Sequence, residues 1–399
     1  METNPCVSIV IPNWNGLALL QQFLPSVITS AQIYASRSHA PVEILILDDG
    51  STDESVAWLL GEGFEERKDA GEQRSRGAGE PEPDHPSTPA PQHPCAESAP
   101  AQKASPQRVD LRLIRNDKNC GFGYTCNRGF AAAKHRLVFL LNNDVEVSAE
   151  AIFPLIENFS DDSVFAVHCR VFEFESGEEC GTGKLGGFRR GFIRVHRSYA
   201  SAREEGPRPD APLYSMFASG GSAMFDRRKF LELGGFEPLL SPIYWEDVEI
   251  SYRAWKRGLV VLYEPRSEVR HRVSSTMRKV NRRKVRRMQQ RNRLIFHWIN
   301  LHDSFLMASH VVWVILLAIT SPLLLKPGFL LSCIEALRML PGILTRRREE
   351  KRAARLRDRD IFDIFKSLGR RPYLFVYDDY SELKQFQEIV QSSKSGEED

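Results

Sequence analysis

Two amides and a carboxylate follow directly on an apolar run in the middle of the chain. Residues 137–141 read LVFLL, and Asn142, Asn143 and Asp144 come next. A short apolar run of this kind is typical of a strand buried inside a sheet. The polar residues after it either form a turn, because Asn and Asp hydrogen-bond their own backbone, or provide oxygen ligands for a divalent cation. The spacing alone leaves both interpretations open.

Carboxylates cluster at two other places. Asp48 and Asp49 end an apolar run in VEILILDDGSTD. The segment WEDVEISYRAWKRG places Glu246, Asp247 and Glu249 at the start of a predicted helix, where the helix macrodipole stabilises negative charge. Taken alone, each cluster is also typical of turn and helix-cap residues.

The elements that must position these residues alternate between strand and helix patterns. Apolar, β-rich runs occur at 6–12, 42–48, 109–115 and 137–141, and helix patterns lie between them at 17–33, after a possible cap at Ser51 or Thr52, and through GFAAAKH. This alternation predicts an α/β fold with a doubly wound, mainly parallel sheet, whose ligands bind outside the carboxyl ends of the strands. Asp48, the turn 116–123 and Asp144 then share one edge.

The glycines of that turn do not form a dinucleotide-binding motif. Gly121, Gly123 and Gly129 lack the GxGxxG spacing and do not follow the first strand. A Rossmann dehydrogenase is therefore disfavoured.

Composition fits one large α/β domain with an appendage. The chain has 399 residues, 42% of them hydrophobic, and seven cysteines without a CxxC pair, which argues against a disulfide framework or a zinc site. Its start lacks the basic region of a secretory signal, so we expect no export. Residues 65–108 contain no Leu, Ile, Val, Met or aromatic residue and are predicted to be a disordered insertion.

The C-terminal part combines basic and apolar segments. A basic run at 266–293 precedes an apolar stretch at 305–325, and a second apolar stretch at 328–344 precedes another basic block. Two helices joined at 326–328 and entering one leaflet would keep both basic flanks at an anionic membrane surface. The alternative to a membrane anchor is a buried helical hairpin in a soluble subdomain. Nucleic acid is a less suitable partner for the basic run, because nothing in the sequence resembles a module that reads nucleic-acid bases. We expect the divisions 1–276, 277–356 and 357–399.

Five segments in one order resemble the family 2 inverting glycosyltransferases of GT-A fold, particularly the rhamnosyltransferase-like branch. They are VSIVIPNWNG, ILILDDGSTDES, RNDKNCGFGYTCNRGFAAA, VFLLNNDVEV and GGFEPLLSPIYWEDVEISYRAWKRG. The match runs from about Val7 to about Thr276, interrupted by 65–108. Each motif alone is unspecific, whereas their common order is specific.

The resemblance implies a nucleotide-sugar site. Asp48 would hydrogen-bond the pyrimidine base of the nucleotide. Asp144 and His271 would hold Mg²⁺ or Mn²⁺ at the diphosphate. The family's DxD motif reads Asn142-Asn143-Asp144 here, so an amide replaces the first carboxylate and the metal should be held more weakly. Further donor contacts would come from Pro12, Trp14, Asn15, Asp49, Gly123, Asn127, Asn142 and Asn143, with Arg272 and Arg278 as candidates for the diphosphate.

The resemblance also implies an acceptor site. Asp247 would take the proton from the acceptor hydroxyl, Glu246 and Trp245 would shape the pocket, and Gly220, Gly221, Gly234 and Gly235 would serve backbone geometry. The predicted protein is a glycosyltransferase on the cytoplasmic face of the cell membrane. It would move rhamnose from dTDP-rhamnose, or a hexose from a UDP-sugar, to a lipid-linked or polysaccharide acceptor with inversion. The alternative is a catalytically silent nucleotide-sugar-binding or membrane scaffold protein.

Overall fold

A ten-stranded sheet forms the centre of the molecule. The computed structural model describes residues 4–67, 109–201, 213–272, 282–323, 327–371 and 374–377. The strands of the sheet are β1 (Val7–Asn13), β2 (Val42–Asp48), β3 (Glu65–Glu66), β4 (Asp110–Arg115), β5 (Leu137–Leu141), β6 (Val145–Val147), β7 (Val164–Glu173), β8 (Glu179–Gly181), β11 (Ser222–Asp226) and β12 (Val260–His271). They lie in the order β3-β4-β2-β1-β5-β11-β7-β12-β6, and β8 pairs with β7.

The first half of this sheet is parallel. β1 pairs with β2 and β5, and β2 pairs with β4, all in parallel register. β11 runs antiparallel between β5 and β7, and β12 returns parallel to β7. The predicted α/β architecture with a mainly parallel sheet is confirmed.

Helices cover both faces of the sheet because successive strand residues point to opposite sides. The helices of this region are α1 (Leu17–Ser38), α2 (Ser55–Gly61), α3 (Phe122–Ala132), α4 (Ile152–Glu157), α5 (Arg227–Glu232) and α6 (Glu246–Lys256). Ile9 and Ile11 of β1 pack in one core with Leu20 of α1. Val10 points the other way, into a core with Phe130 of α3.

A small second sheet was not predicted. It consists of β9 (Gly183–Arg189), β10 (Phe192–Ser201) and β13 (Leu374–Tyr377), in the order β13-β10-β9. Ser198 of β10 pairs with Tyr377 of β13, so the pairing joins distant parts of the chain. No local sequence signal specifies such a contact.

The C-terminal helices pack onto the sheet domain. They are α7 (Arg282–Asn300), α8 (Ser304–Leu323), α9 (Gly328–Arg338), α10 (Leu340–Ala353) and α11 (Asp358–Leu368). Phe296 of α7 and Phe365 of α11 belong to the same core as Val10 of β1. The divisions 1–276, 277–356 and 357–399 stay predictions, and the described part of the last one adds α11 and β13 to the domain.

α8 exposes a wide apolar surface. It has 20 residues, only 6% of its most apolar window is buried, and Val312 and Leu323 are 64% and 76% exposed. Within the described residues it is the one unbroken helix that is long and apolar enough to cross a membrane. The second apolar stretch is not one continuous helix. α9 and α10 meet at an angle of 71°, where α10 begins at Leu340 with Pro341 in its first turn.

Two local predictions need correction. Neither Ser51 nor Thr52 caps α2, whose N-cap position is Glu54. The Asp53 carboxylate, one residue earlier, accepts hydrogen bonds from the Ser55 backbone N–H at 3.1 Å and from the Ser55 hydroxyl. Glu65 and Glu66, placed in the disordered insertion, form β3 and pair with β4. Residues 68–108 lie outside the described residues.

Candidate active site

Four strand ends meet at one edge of the sheet, where the donor residues were expected. Asn13 stands opposite Asp48 in the register of β1 and β2, and its amide donates to Asp48 Oδ1 at 3.2 Å. The amide of Asn143, just after β5, donates to Asn13 Oδ1 at 2.8 Å. The backbone N–H of Asn116, just after β4, donates to the Asp48 carbonyl at 2.8 Å. The edge is therefore one connected network of polar side chains.

Asp49 organises the glycine-rich turn that follows β4. Its buried carboxylate accepts from the Asn116 amide at 2.7 Å and from the backbone N–H groups of Cys120 and Gly121 at 2.8 and 2.9 Å. Gly121 has φ +91°, and a Cβ there would stand 2.9 Å from the Pro242 carbonyl. This position therefore requires glycine, because the turn adopts a left-handed backbone and meets the later loop at close range.

The turn after β1 uses Asn15 for structure and leaves Trp14 open. Asn15 has φ +49°, and its side-chain oxygen accepts from the Thr52 N–H at 2.7 Å. Its own N–H donates to Ser51 Oγ at 2.8 Å. Trp14 is 45% exposed beside this turn, and Pro12 is half-buried. Trp14 offers an exposed aromatic ring on which the base of a nucleotide could stack.

Asp144 and His271 lie together, as the predicted metal site requires. His271 Nε2 is 3.0 Å from Asp144 Oδ1. β6 begins directly after Asp144 and pairs with β12, which ends at His271, so the sheet register fixes this contact. The backbone N–H of Arg272 also donates to the Asp144 carbonyl at 3.0 Å.

This pair is a small donor set for a cation. Among the described residues no group of three or more His, Cys, Asp or Glu side chains is arranged to hold a metal. One carboxylate and one imidazole suit a divalent cation that takes its remaining ligands from phosphate oxygens and water. The residues present therefore fit Mn²⁺ or Mg²⁺ bound together with a diphosphate.

Gly220 and Gly221 connect this edge to the predicted base. The Asn142 N–H donates to the Gly221 carbonyl at 3.0 Å, and the Gly220 N–H donates to Asp247 Oδ2 at 3.3 Å. A Cβ on Gly221 would stand 2.5 Å from the Asn142 amide, and one on Gly220 would stand 3.4 Å from Asp247 Cβ. Two residues without side chains thus bring the NND segment and Asp247 to one place.

The backbone directly before the predicted base, Asp247, is strained. Tyr244 and Trp245 have φ +78° and +77°, a region that costs bulky side chains free energy. Trp245 stands at the N-terminus of α6, so this turn sets where Glu246 and Asp247 point. Consecutive residues of this kind persist only where surrounding contacts hold them.

α7 provides those contacts. The buried amide of Asn292 donates to the carbonyls of Leu240, Ile243 and Tyr244 at 2.6, 3.0 and 2.9 Å. Arg291 adds a bond to the Ser241 carbonyl at 2.6 Å. The segment 240–244 is therefore held by a helix some 50 residues later in the chain.

The electrostatics around Asp247 favour a proton acceptor. Burial raises the pKa of Asp247, and burial together with the neighbouring Asp247 raises the pKa of Glu246 to about 8. Burial lowers the pKa of Lys184 to about 8, while the Asp247 carboxylate opposes that change. A carboxylate whose pKa is raised from its ordinary range is a better general base near neutral pH.

Some predicted contacts are occupied by the protein itself. Both polar atoms of the Asn127 amide bond the Phe236 backbone, at 2.9 and 2.7 Å, and Gly123 packs near the same residue. Arg272 pairs with Glu175 at 3.0 Å and lies over the ring of Phe174. Arg278 lies outside the described residues. The roles of these residues towards a donor stay predictions.

Sequence reasoning missed two residues around the predicted acceptor site. Lys184 lies on the unpredicted β9, and its ammonium is 4.6 Å from the centre of the Phe217 ring. Asn292 stands within the basic run RRMQQRNR, which was interpreted as a lipid-facing surface. An amide inside such a run is a weak signal that one side of the helix is buried.

Two family models match the chain. The model described as Glycosyl transferase family 2 matches residues 8–62 and 96–234, and the model described as Glycosyl transferase family group 2 matches residues 208–344. Together they include the donor edge, the base segment and most of the C-terminal helices.

Curated relatives match a shorter part. Polypeptide N-acetylgalactosaminyltransferase 5 of Caenorhabditis elegans is 26% identical over 170 residues, which is 40% of this chain and 27% of that protein. N-acetylgalactosaminyltransferase 7 of Drosophila melanogaster is 26% identical over 170 residues, 40% of this chain and 29% of that protein. Each match therefore spans less than a third of the relative.

A solved structure shares the fold. The crystal structure of GalNAc-T7 with UDP, GalNAc and Mn²⁺ superposes with a TM-score of 0.50 at 19% identity. The match covers 76% of this chain and 49% of that chain. It supports the GT-A type of fold that the sequence motifs indicated.

Proposed function

We infer that this chain is a family 2 glycosyltransferase, which its two family matches support, and that it transfers a sugar from a nucleotide diphosphate to an acceptor hydroxyl. Asp247 takes the proton from that hydroxyl, and the anomeric carbon is attacked once, with inversion. No covalent intermediate is needed, because base, donor and acceptor meet in one site.

One observation carries this proposal. Gly220 and Gly221 link Asp247 to Asn142, because Gly220 bonds the Asp247 carboxylate and Gly221 bonds the Asn142 N–H. Asn142 stands two residues before Asp144 in the chain, and Asp144 pairs with His271. A base thus lies beside a candidate diphosphate site, as a single displacement requires. Neither cluster alone would distinguish a catalytic site from a polar turn.

Asp144 and His271 are the residues that would hold Mg²⁺ or Mn²⁺. The cation would supply charge neutralisation at the departing diphosphate. Since only two side chains of the described part are available to it, its affinity should depend on bound nucleotide. The replacement of the first DxD carboxylate by Asn142 supports the same expectation.

The donor nucleotide is proposed to bind along the edge from Trp14 to Asp48 and Asn143. dTDP-rhamnose is the donor favoured by the motif resemblance. A UDP-sugar is the second candidate, because the related transferases are named for N-acetylgalactosamine and one was crystallised with UDP.

The acceptor is proposed to be lipid-linked or a growing polysaccharide at the cytoplasmic face of a membrane. The exposed apolar side of α8 supports this, since a helix buried in a soluble hairpin would not leave Val312 and Leu323 more than half exposed. The basic residues of α7 and α10 would face anionic headgroups.

Nucleotide titration tests the donor site. Purified full-length protein is titrated with UDP, dTDP and GDP, with and without Mn²⁺, beside Asp144→Ala and the control Asp161→Ala. We expect Mn²⁺ to tighten binding of one nucleotide by about tenfold or more in the wild type and the control, an effect of several kcal/mol at most. Asp144→Ala should lose this tightening.

Two outcomes would contradict the proposal. If no nucleotide binds, the donor edge is a structural turn. If a nucleotide binds but no tested sugar is transferred or hydrolysed, the silent alternative that the Asn142 substitution allows is favoured. A single nucleotide that binds tightly would also select between the two donor classes.

A further inference from the structure

Two arginines lie against one phenylalanine ring near the proposed acceptor site. Arg194 of β10 and Arg293 of α7 both lie against Phe192, with guanidinium carbons 5.6 and 4.1 Å from its ring centre. Both side chains are partly exposed, so a solute can reach them. Burial and the charge of Arg194 lower the pKa of Arg293 to about 10.

Neither guanidinium has a hydrogen-bonding or ionic partner in the described part of the chain. The Nε atoms of both residues are buried and unbonded there. Other partly buried arginines of the molecule are paired, for example Arg170 with Glu179 and Arg257 with Glu350. Two neighbouring cations without a carboxylate are unfavourable unless an anion joins them.

The pair lies between the proposed base and the apolar helix. Arg293 is 5.9 Å from the ring centre of Trp245, which precedes Glu246 and Asp247. On the other side, Phe192 contacts the ring of His310 of α8 at 5.0 Å. His310 also bonds the Gly191 carbonyl at 2.7 Å, so the β9–β10 turn is attached to α8.

The surroundings select the kind of anion. Guanidinium groups bind phosphate oxygens through paired hydrogen bonds, and two of them match a doubly charged group. α8 reaches the site through His310, which contacts Phe192. The exposed apolar residues of this helix would contact a hydrocarbon chain attached to that group. A phosphate that carries a lipid satisfies both features at once.

We propose that Arg194 and Arg293 bind the phosphate or diphosphate of a lipid-linked acceptor. The sugar on that phosphate extends along Trp245 towards Asp247, and the lipid lies along α8. This inference rests on the proposed function and names its acceptor class. A peptide acceptor would leave the two guanidiniums without an anion.

Binding of a prenyl diphosphate tests the site. Full-length protein in nonionic detergent is titrated with geranylgeranyl diphosphate, inorganic pyrophosphate and phosphatidylglycerol micelles. The variants are Arg194→Gln, Arg293→Gln and Arg293→Lys, with Arg286→Gln as the control, because Arg286 is an exposed cation of the same helix. Thermal unfolding checks that each variant is folded.

We expect geranylgeranyl diphosphate to bind the wild type and the control alike. Each Gln variant should weaken this binding by about 10- to 100-fold, because a hydrogen bond to a charged group is lost. Arg293→Lys should fall between, since it keeps the charge without the paired bonds. Pyrophosphate should respond to the same variants with lower affinity, because it lacks the lipid.

Three results would overturn the proposal. The Gln variants could bind the prenyl diphosphate as well as the wild type does. Arg286→Gln could weaken it equally, which would indicate general attraction to a basic helix. Phosphatidylglycerol could compete as well as the prenyl diphosphate, which would indicate a membrane-surface site.

Nucleotide titration of the same variants separates this inference from the proposed function. All four should keep the wild-type affinity for the donor nucleotide. A wild type that binds prenyl diphosphate but no nucleotide would refute the glycosyl transfer and leave the anion site intact. If the wild type binds nucleotide and the arginine variants bind the prenyl diphosphate as well as the wild type does, the anion site is refuted and the proposed glycosyl transfer is not.

Discussion

The donor edge and the acceptor side of the candidate site are built in different ways. At the donor edge, Asn13, Asp48, Asp49 and Asn116 hold one another with hydrogen bonds between neighbouring strand ends. On the acceptor side, the strained turn before Asp247 is held by Asn292 of α7. The donor edge is therefore held by residues of the strand ends themselves, whereas the acceptor side depends on contacts with the C-terminal helices.

A buried carboxylate of α11 also joins α6, the helix that carries Asp247, to the C-terminal part of the chain. Asp358 of α11 accepts from Tyr252 and Lys256 of α6 at 2.7 and 2.8 Å, and from the N–H groups of His302 and Asp303 at 2.8 and 2.7 Å. These bonds join α6 to the turn that leads into the apolar α8. The comparison teaches that the proposed catalytic base and the proposed membrane helix belong to one packed unit.

The largest expected effect concerns Asp247. Asp247→Asn keeps the shape of the side chain but removes the proton acceptor, so the transfer rate should fall by about 10²- to 10⁴-fold. Donor-nucleotide affinity should not change, because Asp247 belongs to the acceptor side. Steady-state kinetics with nucleotide titration measures both quantities.

A matched substitution tests the specificity of this result. Asp303→Asn also removes a carboxylate on the C-terminal side, but it lies in the α7–α8 turn and should leave turnover near the wild-type rate. Full turnover in Asp247→Asn would require another base and would remove the distinction between the two halves.

Truncation of one buried amide on each side of the site should have effects of intermediate size. One variant should lower kcat, and the other should lower the affinity for the nucleotide. Asn292→Ala leaves three carbonyls without their donor and should lower kcat by about tenfold, because an unsatisfied buried group costs about 1–3 kcal/mol. Asn116→Ala removes a donor to Asp49 and should weaken nucleotide binding by a similar factor.

The two variants serve as controls for each other. Asn292→Ala should keep nucleotide affinity, and Asn116→Ala should keep kcat at saturating donor. If both variants change both quantities equally, the halves form one unit and the comparison fails. Thermal unfolding of each variant separates these effects from global destabilisation.

A further prediction is a pH dependence of stability from Glu246. Its pKa is raised from 4.5 to about 8 by burial and by Asp247. The unfolded chain ionises this group near 4.5, so its favourable contribution is fully present below that pH and is lost as the pH rises through about 8. Glu246→Gln cannot ionise and should keep its stability over this range.

Thermal unfolding from about pH 5 to about pH 9 measures this difference. The gain in unfolding temperature of Glu246→Gln over the wild type should grow as the pH rises. Exposed Glu232→Gln should follow the wild type at every pH. A constant difference for Glu246→Gln would mean that Glu246 is already ionised in the folded protein.

Sequence reasoning worked best where a motif and a strand end coincide. The runs at 42–48 and 137–141 became β2 and β5 with the predicted bounds, and their ends carry Asp48 and the NND segment. It missed the local hairpin of β9 and β10. It also failed for β13, because the pairing of β13 with β10 joins residues far apart in the chain. It also treated 328–344 as one segment, whereas a new helix, α10, begins at Leu340.

By itself the sequence determined the parallel sheet, the order of its polar strand ends and the acidic start of α6, because hydrophobic periodicity and turn chemistry are local properties. Only the tertiary structure decided that Asp144 meets His271, that Asn292 holds the turn before Asp247, and that Arg194 and Arg293 lie against the same Phe192 ring. Those contacts depend on strand register and helix packing between distant segments, which no local pattern encodes.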